Sequence, residues 1–347
     1  MSKELSSKIK LISLLCTIMV VYRHAYTAET FYGGFCAEWD LYNFLAHGIT
    51  NLTSIAVPYF FLISGFFFFK QSYYKDDNYY LMLRKKFKTL FIPFVFWNLL
   101  AFIPMWYAGK IVEVEHWYLY IVDLLHSDYN GPLWYVRTLM LLMLLSPLYD
   151  WIFLLDGKVG VKSELYIQAL IIGYIFYIWW PMDSKTLSTE GWLFFLLGGV
   201  LRKNELCLTR TIKKNYAVAL YLCWVGICFL HISNCWLGKL HLLLGIVLFW
   251  NVIRTGCKGW VSLIAGYAFF VYVNHFVLLK AIKVFFAHYF YGSQLVALLI
   301  FILSPIFSTL FLWKLGEIWN HYCPKSFAWV MGGRVKMNIN KSLIIKE

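Results

Sequence analysis

IKLISLLCTIMVVYRHAYT, residues 9–27, decides the fold: it is apolar almost throughout and long enough, as a helix, to cross a hydrocarbon layer of about 30 Å. Two ionisable residues, Arg23 and His24, sit side by side near its end. A charge at membrane depth costs roughly 2.5–3.5 kcal/mol on insertion scales, so it persists where it meets a polar cavity, a partner or a substrate. Arg23 can also reach headgroups by snorkelling from a helix end. Imidazole gains little that way, which makes His24 the first candidate for chemistry.

The same reading repeats along the chain. With 61% hydrophobic and 14% charged residues in 347, there is too little polar surface to cover a soluble globule. Spans are predicted near residues 9–27, 50–69, 89–109, 133–152, 165–181, 191–201, 215–231, 238–253, 261–279 and 294–313, giving an all-α, polytopic membrane protein of about ten helices. The sixth is short, as a tilted or partly re-entrant segment would be. Trp106, Trp117, Trp179, Trp180 and Trp192 lie near span ends, as in an aromatic belt.

With both termini placed in the cytoplasm, and with Lys10 and Lys239 at span edges counted with the stretches they adjoin, the inner stretches hold 24 of the 31 Lys and Arg and the outer stretches hold five, the remaining two being Arg23 and Arg137 within spans. That asymmetry is what the positive-inside rule requires. The longest outer stretches, residues 28–49 and 110–132, are too short for a soluble domain, so one membrane domain is expected, with a core near 9–316 and a basic tail near 317–347. The first span lacks the short core and small-residue cleavage site of a secretory signal and is expected to stay attached.

The +13 balance is dispersed in short clusters between spans, as topology alone demands, and does not indicate a nucleic-acid partner. Eight cysteines show no Cys-x-x-Cys and no spacing suited to zinc, so no metal is expected. Cys36 and Cys235 share the outer side and could pair there. Asn51-Leu52-Thr53 matches a glycosylation sequon at a membrane edge and is read as chance.

Five ordered segments carry a resemblance. They are Val20-Val21-Tyr22-Arg23-His24-Ala25; Val57-Pro58-Tyr59-Phe60-Phe61-Leu62-Ile63-Ser64-Gly65-Phe66; the basic Arg84-Lys85-Lys86-Phe87-Lys88-Thr89-Leu90-Phe91-Ile92-Pro93; Leu133-Trp134-Tyr135-Val136-Arg137-Thr138-Leu139; and Ala268-Phe269-Phe270-Val271-Tyr272-Val273-Asn274-His275. Together they resemble the membrane acyltransferases of acyltransferase family 3, which typically O-acylate sugars of surface polysaccharides from acyl-CoA. The resemblance implies acyl-CoA, most simply acetyl-CoA, as a donor substrate rather than a tightly bound cofactor. It also implies a glycan or lipid-linked glycan acceptor, and a plasma membrane such as the bacterial inner membrane. One departure stands out: the family commonly has an arginine eleven positions before its first-span histidine, where this chain has Ser13. That leaves the donor contact open to a substitute such as Lys10.

Transfer from a thioester to a hydroxyl needs a base and groups that stabilise the developing oxyanion. His24 suits the base, with Arg137 and Arg23 as candidate stabilising or positioning cations. Arg84, Lys85, Lys86 and Lys88 lie where CoA phosphates would arrive, though positive-inside charge explains them equally. Trp134 shares a helix face with Arg137, and Tyr272 shares one with His275. Both pairs are candidate substrate contacts, and structural roles as a snorkelling cation or an interhelical hydrogen bond are the alternatives. Ser64 is a candidate contact too, although Ser-Gly in a membrane helix often serves close packing. The rival function is a transporter or flippase of a lipid-linked sugar, which would show paired interrupted helices in related halves. No such symmetry is visible.

Overall fold

A computed structural model describes residues 2–69, 79–107, 109, 111, 116–148, 168–174, 188–203, 208, 212–230, 235–254, 256 and 259–333. Among them every regular element is helical. In chain order these are α1 (Lys3–Arg23), α2 (Ala28–Tyr32), α3 (Asp40–Thr53), α4 (Ala56–Phe68), α5 (Tyr79–Lys86), α6 (Ile92–Tyr107), α7 (Tyr118–His126), α8 (Trp134–Leu144), α9 (residues 168–174), α10 (Thr189–Lys203), α11 (Lys214–Cys228), α12 (Cys235–Val252), α13 (Gly259–Gly266), α14 (Ala268–Phe290), α15 (Gln294–Tyr322) and α16 (Pro324–Val330). A π-helical turn, Phe87–Phe91, joins α5 to α6, and a 3₁₀ turn, Gly131–Leu133, leads into α8.

Five helical runs are long and apolar enough to span a membrane: Lys3–Tyr32, Asp40–Phe68, Tyr79–Tyr107, Ala268–Phe290 and Gln294–Tyr322. Gly131–Leu144 and Leu237–Val252 are shorter apolar helices. The described structure thus gives five candidate spans where hydropathy alone suggests about ten. Much of the predicted span 165–181, with Trp179 and Trp180, lies outside the described residues. Trp106 and Trp117 are exposed at helix ends, where a belt requires them.

Two boundaries differ from the sequence expectation for a physical reason. The predicted outer stretch 28–49 is largely helical, because a polar residue that depresses its hydropathy is satisfied by protein: Asn43 Nδ2 donates to the Cys36 carbonyl at 2.8 Å. Likewise α14 runs on to Phe290, past the predicted end at 279, and carries Lys280 and Lys283 on the helix. Cys36 is a free, buried thiol, which removes the pairing with Cys235.

Local capping fixes the helix that matters most. Ser2 accepts the Leu5 amide at 3.1 Å at the N-terminus of α1, and Glu4 in the first turn complements the helix dipole. α1 then runs through the interior, packing on α3, α4, α13, α14 and α15. Its neighbours α4 and α10 meet backbone to backbone: a Cβ added at Gly65 would collide with the Phe195 carbonyl, and one at Gly198 with the Leu62 carbonyl. The short α10, the sixth predicted span, is thereby enclosed, and Phe194, Phe195 and Leu196 are buried. At the far end of the chain, Phe327 and Val330 of α16 are buried, and Trp97 Nε1 of α6 donates to the Val330 carbonyl at 3.2 Å.

Candidate active site

His24 is the C-cap of α1, and its half-buried ring meets α14. The ring centres of His24 and His275 are 5.3 Å apart, and Phe276 closes edge-on against His24 at 5.5 Å. His275 is fully buried. Its Nδ1 lies 2.6 Å from the carbonyl of Tyr272, which can only accept, so Nδ1 carries the proton and Nε2 the lone pair. Nε2 is buried and has no hydrogen-bond partner.

Helix α1 ends here with carbonyls that no later turn can satisfy. Lys283, two turns beyond His275 on α14, donates from Nζ to the carbonyls of His24 (3.1 Å) and Tyr26 (3.0 Å). A cation at a helix C-terminus is favoured by both the orphan carbonyls and the dipole. On the other side, Tyr42 Oη accepts the amides of Thr27 (2.7 Å) and Ala28 (3.1 Å), so the chain leaving His24 is held from two directions.

Beneath the histidines lies a cavity of about 800 Å³, within the roughly 300–1,000 Å³ of small-molecule sites. Lys10, Ser13 and Thr17 line it from one face of α1, Ser64 from α4, Tyr135 and Leu139 from α8, Leu90 from below, and Tyr272 from α14. Lys10 Nζ is held by the Ser262 carbonyl and hydroxyl, both at 2.9 Å. Ser64 Oγ and Tyr135 Oη share a hydrogen bond of 2.8 Å, and the rings of Tyr135 and Tyr272 stand edge to face at 6.1 Å. Tyr272 Oη donates to the Pro132 carbonyl. These three side chains roof the cavity, and Tyr272 in turn contacts the His275 ring at 6.1 Å. His24 itself is above this roof and does not line the cavity.

The other predicted residues divide clearly. Arg137 is buried, but its Nη1 donates to the carbonyl of His126, the last residue of α7, as a helix-end cation. Arg23 is exposed and donates to the Thr50 carbonyl in the last turn of α3 at 3.2 Å. Trp134 packs against Phe61 at 6.0 Å, so its neighbour Tyr135, rather than Trp134, faces the hollow. Arg84, Lys85 and Lys88 are exposed and Lys86 is half-buried on the turn that leads to cavity-lining Leu90. Arg84 and Lys86 also line a separate apolar-walled hollow of about 450 Å³ with Phe87 and Met143.

Tyr135 and Lys283 are the residues that sequence reasoning missed. The first sits beside a more conspicuous tryptophan. The second fell in a predicted outer loop, and only the helical continuation of α14 puts it under the end of α1.

Comparison with family models places the chain. A model described as an acyltransferase domain, that of acyltransferase family 3, matches residues 8–313, from the first turns of α1 into α15. The chain belongs to this family and, with several apolar helices of spanning length, is a multi-pass membrane acyltransferase. No curated protein and no solved structure matches.

Proposed function

We propose that the protein is an O-acyltransferase that moves an acyl group, acetyl in the simplest case, from acyl-CoA to a hydroxyl of a surface polysaccharide or its lipid-linked precursor. The observation that carries this reading is the cavity of about 800 Å³ that rises along the Lys10, Ser13 and Thr17 face of α1 and stops one aromatic layer below the paired histidines. Its lining mixes Lys10, Ser13, Thr17 and Ser64 with Phe60, Phe67, Leu90 and Leu139, a lining that suits an acyl-pantetheine arm with its amides and apolar carbons. The exposed cations Arg84, Lys85 and Lys88 suit CoA phosphates, and Lys10 occupies the stretch of α1 where Ser13 supplies no charge.

In this mechanism the acceptor oxygen attacks the thioester carbonyl, the C–O bond forms and the C–S bond breaks. His24 takes the hydroxyl proton and returns it to the departing thiolate, so CoA leaves as the thiol. The hydrogen-bonded Ser64–Tyr135 hydroxyl pair can offer a donor at the roof, where the thioester oxygen becomes negative, while Tyr272, its own hydroxyl engaged with the Pro132 carbonyl, lines the cavity. Arg137 and Arg23 support helix ends and contribute through position. The membrane is taken to be a bacterial inner membrane with about ten spans and both termini in the cytoplasm, in keeping with the Lys and Arg asymmetry.

Vesicles bearing the protein, given labelled acetyl-CoA and surface glycan, are expected to form base-labile ester. A folded His24→Ala variant is expected to lose that label to background. Wild-type yield from His24→Ala would eliminate His24 as the base.

A further inference from the structure

Buried polar atoms are satisfied in native proteins, and one left without a partner asks what meets it in the working state. His275 Nε2 is such an atom. Its identity as an acceptor is set by geometry, because Nδ1 is committed as donor to the Tyr272 carbonyl at 2.6 Å. A neighbouring imidazole is that of His24, with ring centres 5.3 Å apart and planes inclined by 48°, and no hydrogen bond joins Nε2 to it in this structure. Two imidazoles joined by an N–H···N hydrogen bond have centres about 5 Å apart, from ~1.1 Å between centre and nitrogen at each end and ~3 Å between nitrogens. Such a bond tolerates any inclination about its own axis. Among the described residues the other ring neighbour of His24, Phe276, offers no acceptor atom, and the Lys283 ammonium is engaged with backbone carbonyls.

We propose that His275 is the positioning residue for His24: its Nε2 accepts the N–H of the His24 ring and fixes the tautomer that turns the other His24 nitrogen, with its lone pair, toward the acceptor hydroxyl. The chain of bonds is Tyr272 carbonyl, His275 Nδ1–H, His275 Nε2, His24 N–H, and then the reacting hydroxyl. It has the logic of a base oriented by a third group, with a neutral imidazole and a backbone carbonyl in place of a carboxylate. His275 stays neutral and transfers no proton. When His24 becomes imidazolium, the same bond becomes charge-assisted and strengthens as the reaction proceeds.

The inference rests on the reading of His24 as base, and the test separates the two. Purified protein labelled with ¹⁵N-histidine is compared with the His24→Ala, His275→Leu and His275→Gln variants, each checked for a wild-type melting profile. The His24 signals are assigned by their absence in His24→Ala. In wild type they are expected to report one dominant neutral tautomer, and in His275→Leu a mixture. In parallel, acetyl transfer from labelled acetyl-CoA into vesicle glycan is expected to fall about tenfold or more in kcat in His275→Leu, with KM for acetyl-CoA unchanged. His275→Gln is expected to recover much of that loss, since its amide oxygen reaches the place of Nε2. Unchanged His24 tautomers in His275→Leu, wild-type kcat in that variant, or a Gln variant no better than Leu would each overturn the proposal. An inactive His24→Ala beside a fully active His275→Leu removes this inference alone, whereas an active His24→Ala removes the reading beneath it.

Discussion

Lys283 reaches under the end of α1 and donates to two backbone carbonyls, of His24 and Tyr26, in a half-buried setting. Replacing it with Met keeps the length and apolar stem but leaves both carbonyls to find other donors. The expected loss is about 1–2 kcal/mol, the range for a helix-end cation in partly buried geometry and for orphaned polar groups. Lys283→Met is therefore expected to melt below wild type in detergent and, under the proposed function, to transfer acetyl more slowly, because His24 rides on the freed segment. Lys283→Arg, which keeps donors at that distance, is expected to restore both; equal melting of Met and wild-type protein would show that the two bonds stabilise nothing. His24 stood out in the sequence because an ionisable group in an apolar run is costly wherever the run folds. The partner that supports it was not legible, because Lys283 becomes relevant only when α14 is brought alongside α1, running parallel to it, across 259 residues of chain. Arg137 shows the converse: it is costly in an apolar run for the same reason, yet it serves the carbonyl end of α7.

Helix α4 shows what an element can hide. Its segment Ser64-Gly65 combines two jobs that a pattern cannot separate: Ser64 reaches Tyr135 at the cavity roof, while Gly65 lets the backbone of α10 approach to touching distance. Gly198 makes the reciprocal approach from α10. An alanine at either position has to push two buried backbones apart, which typically costs about 1–3 kcal/mol. Gly65→Ala and Gly198→Ala are each expected to lower the melting temperature by several degrees, and to shift Ser64 away from the Tyr135 hydroxyl. Gly226→Ala on α11, where an added Cβ meets nothing within 4 Å, is the contrast: it is expected to melt at or slightly above wild type, since alanine is the better helix former. A melt in which all three variants behave alike would mean that the α4–α10 contact is looser than described. Hydropathy found most of these helices because burial in lipid and burial in protein both select apolar residues. It misplaced the ends of α3 and α14 for a complementary reason: polar side chains such as Asn43 and Lys283 lower the local average while being satisfied by backbone carbonyls elsewhere in the fold.

At the scale of the whole molecule, the direction of each long helix follows from a few pairings. Thr27 Oγ1 donates to the Ala297 carbonyl at 3.0 Å, and Tyr22 Oη donates to the Ile302 carbonyl at 3.1 Å, so the numbers rise along α15 as they fall along α1. The turn between α14 and α15 lies beside α2, where the Gly292 amide donates to the Phe31 carbonyl at 2.8 Å. Hence Ser2 and the α15–α16 junction lie at one end of the molecule, and Gly33 and Gly292 at the other. That arrangement makes the positive-inside argument testable with two reporters instead of ten. Cysteine at Ser2 or Lys325 is expected to react with a membrane-impermeant maleimide from the same side. Cysteine at Glu29 or Tyr291 is expected to react only from the opposite side, in a background where the native cysteines are replaced, among them Cys223 and Cys323, which are exposed among the described residues. With the inner side set by Lys and Arg, intact cells should label the second pair and opened cells both. Labelling of Ser2→Cys and Lys325→Cys from opposite sides would contradict the helix pairing itself, whereas labelling of that pair in intact cells would keep the fold and reverse the orientation. In the reversed case the Lys10 end of the cavity would face away from the cytoplasmic acyl-CoA proposed as donor, so this measurement tests the proposed route of the donor as well as the topology.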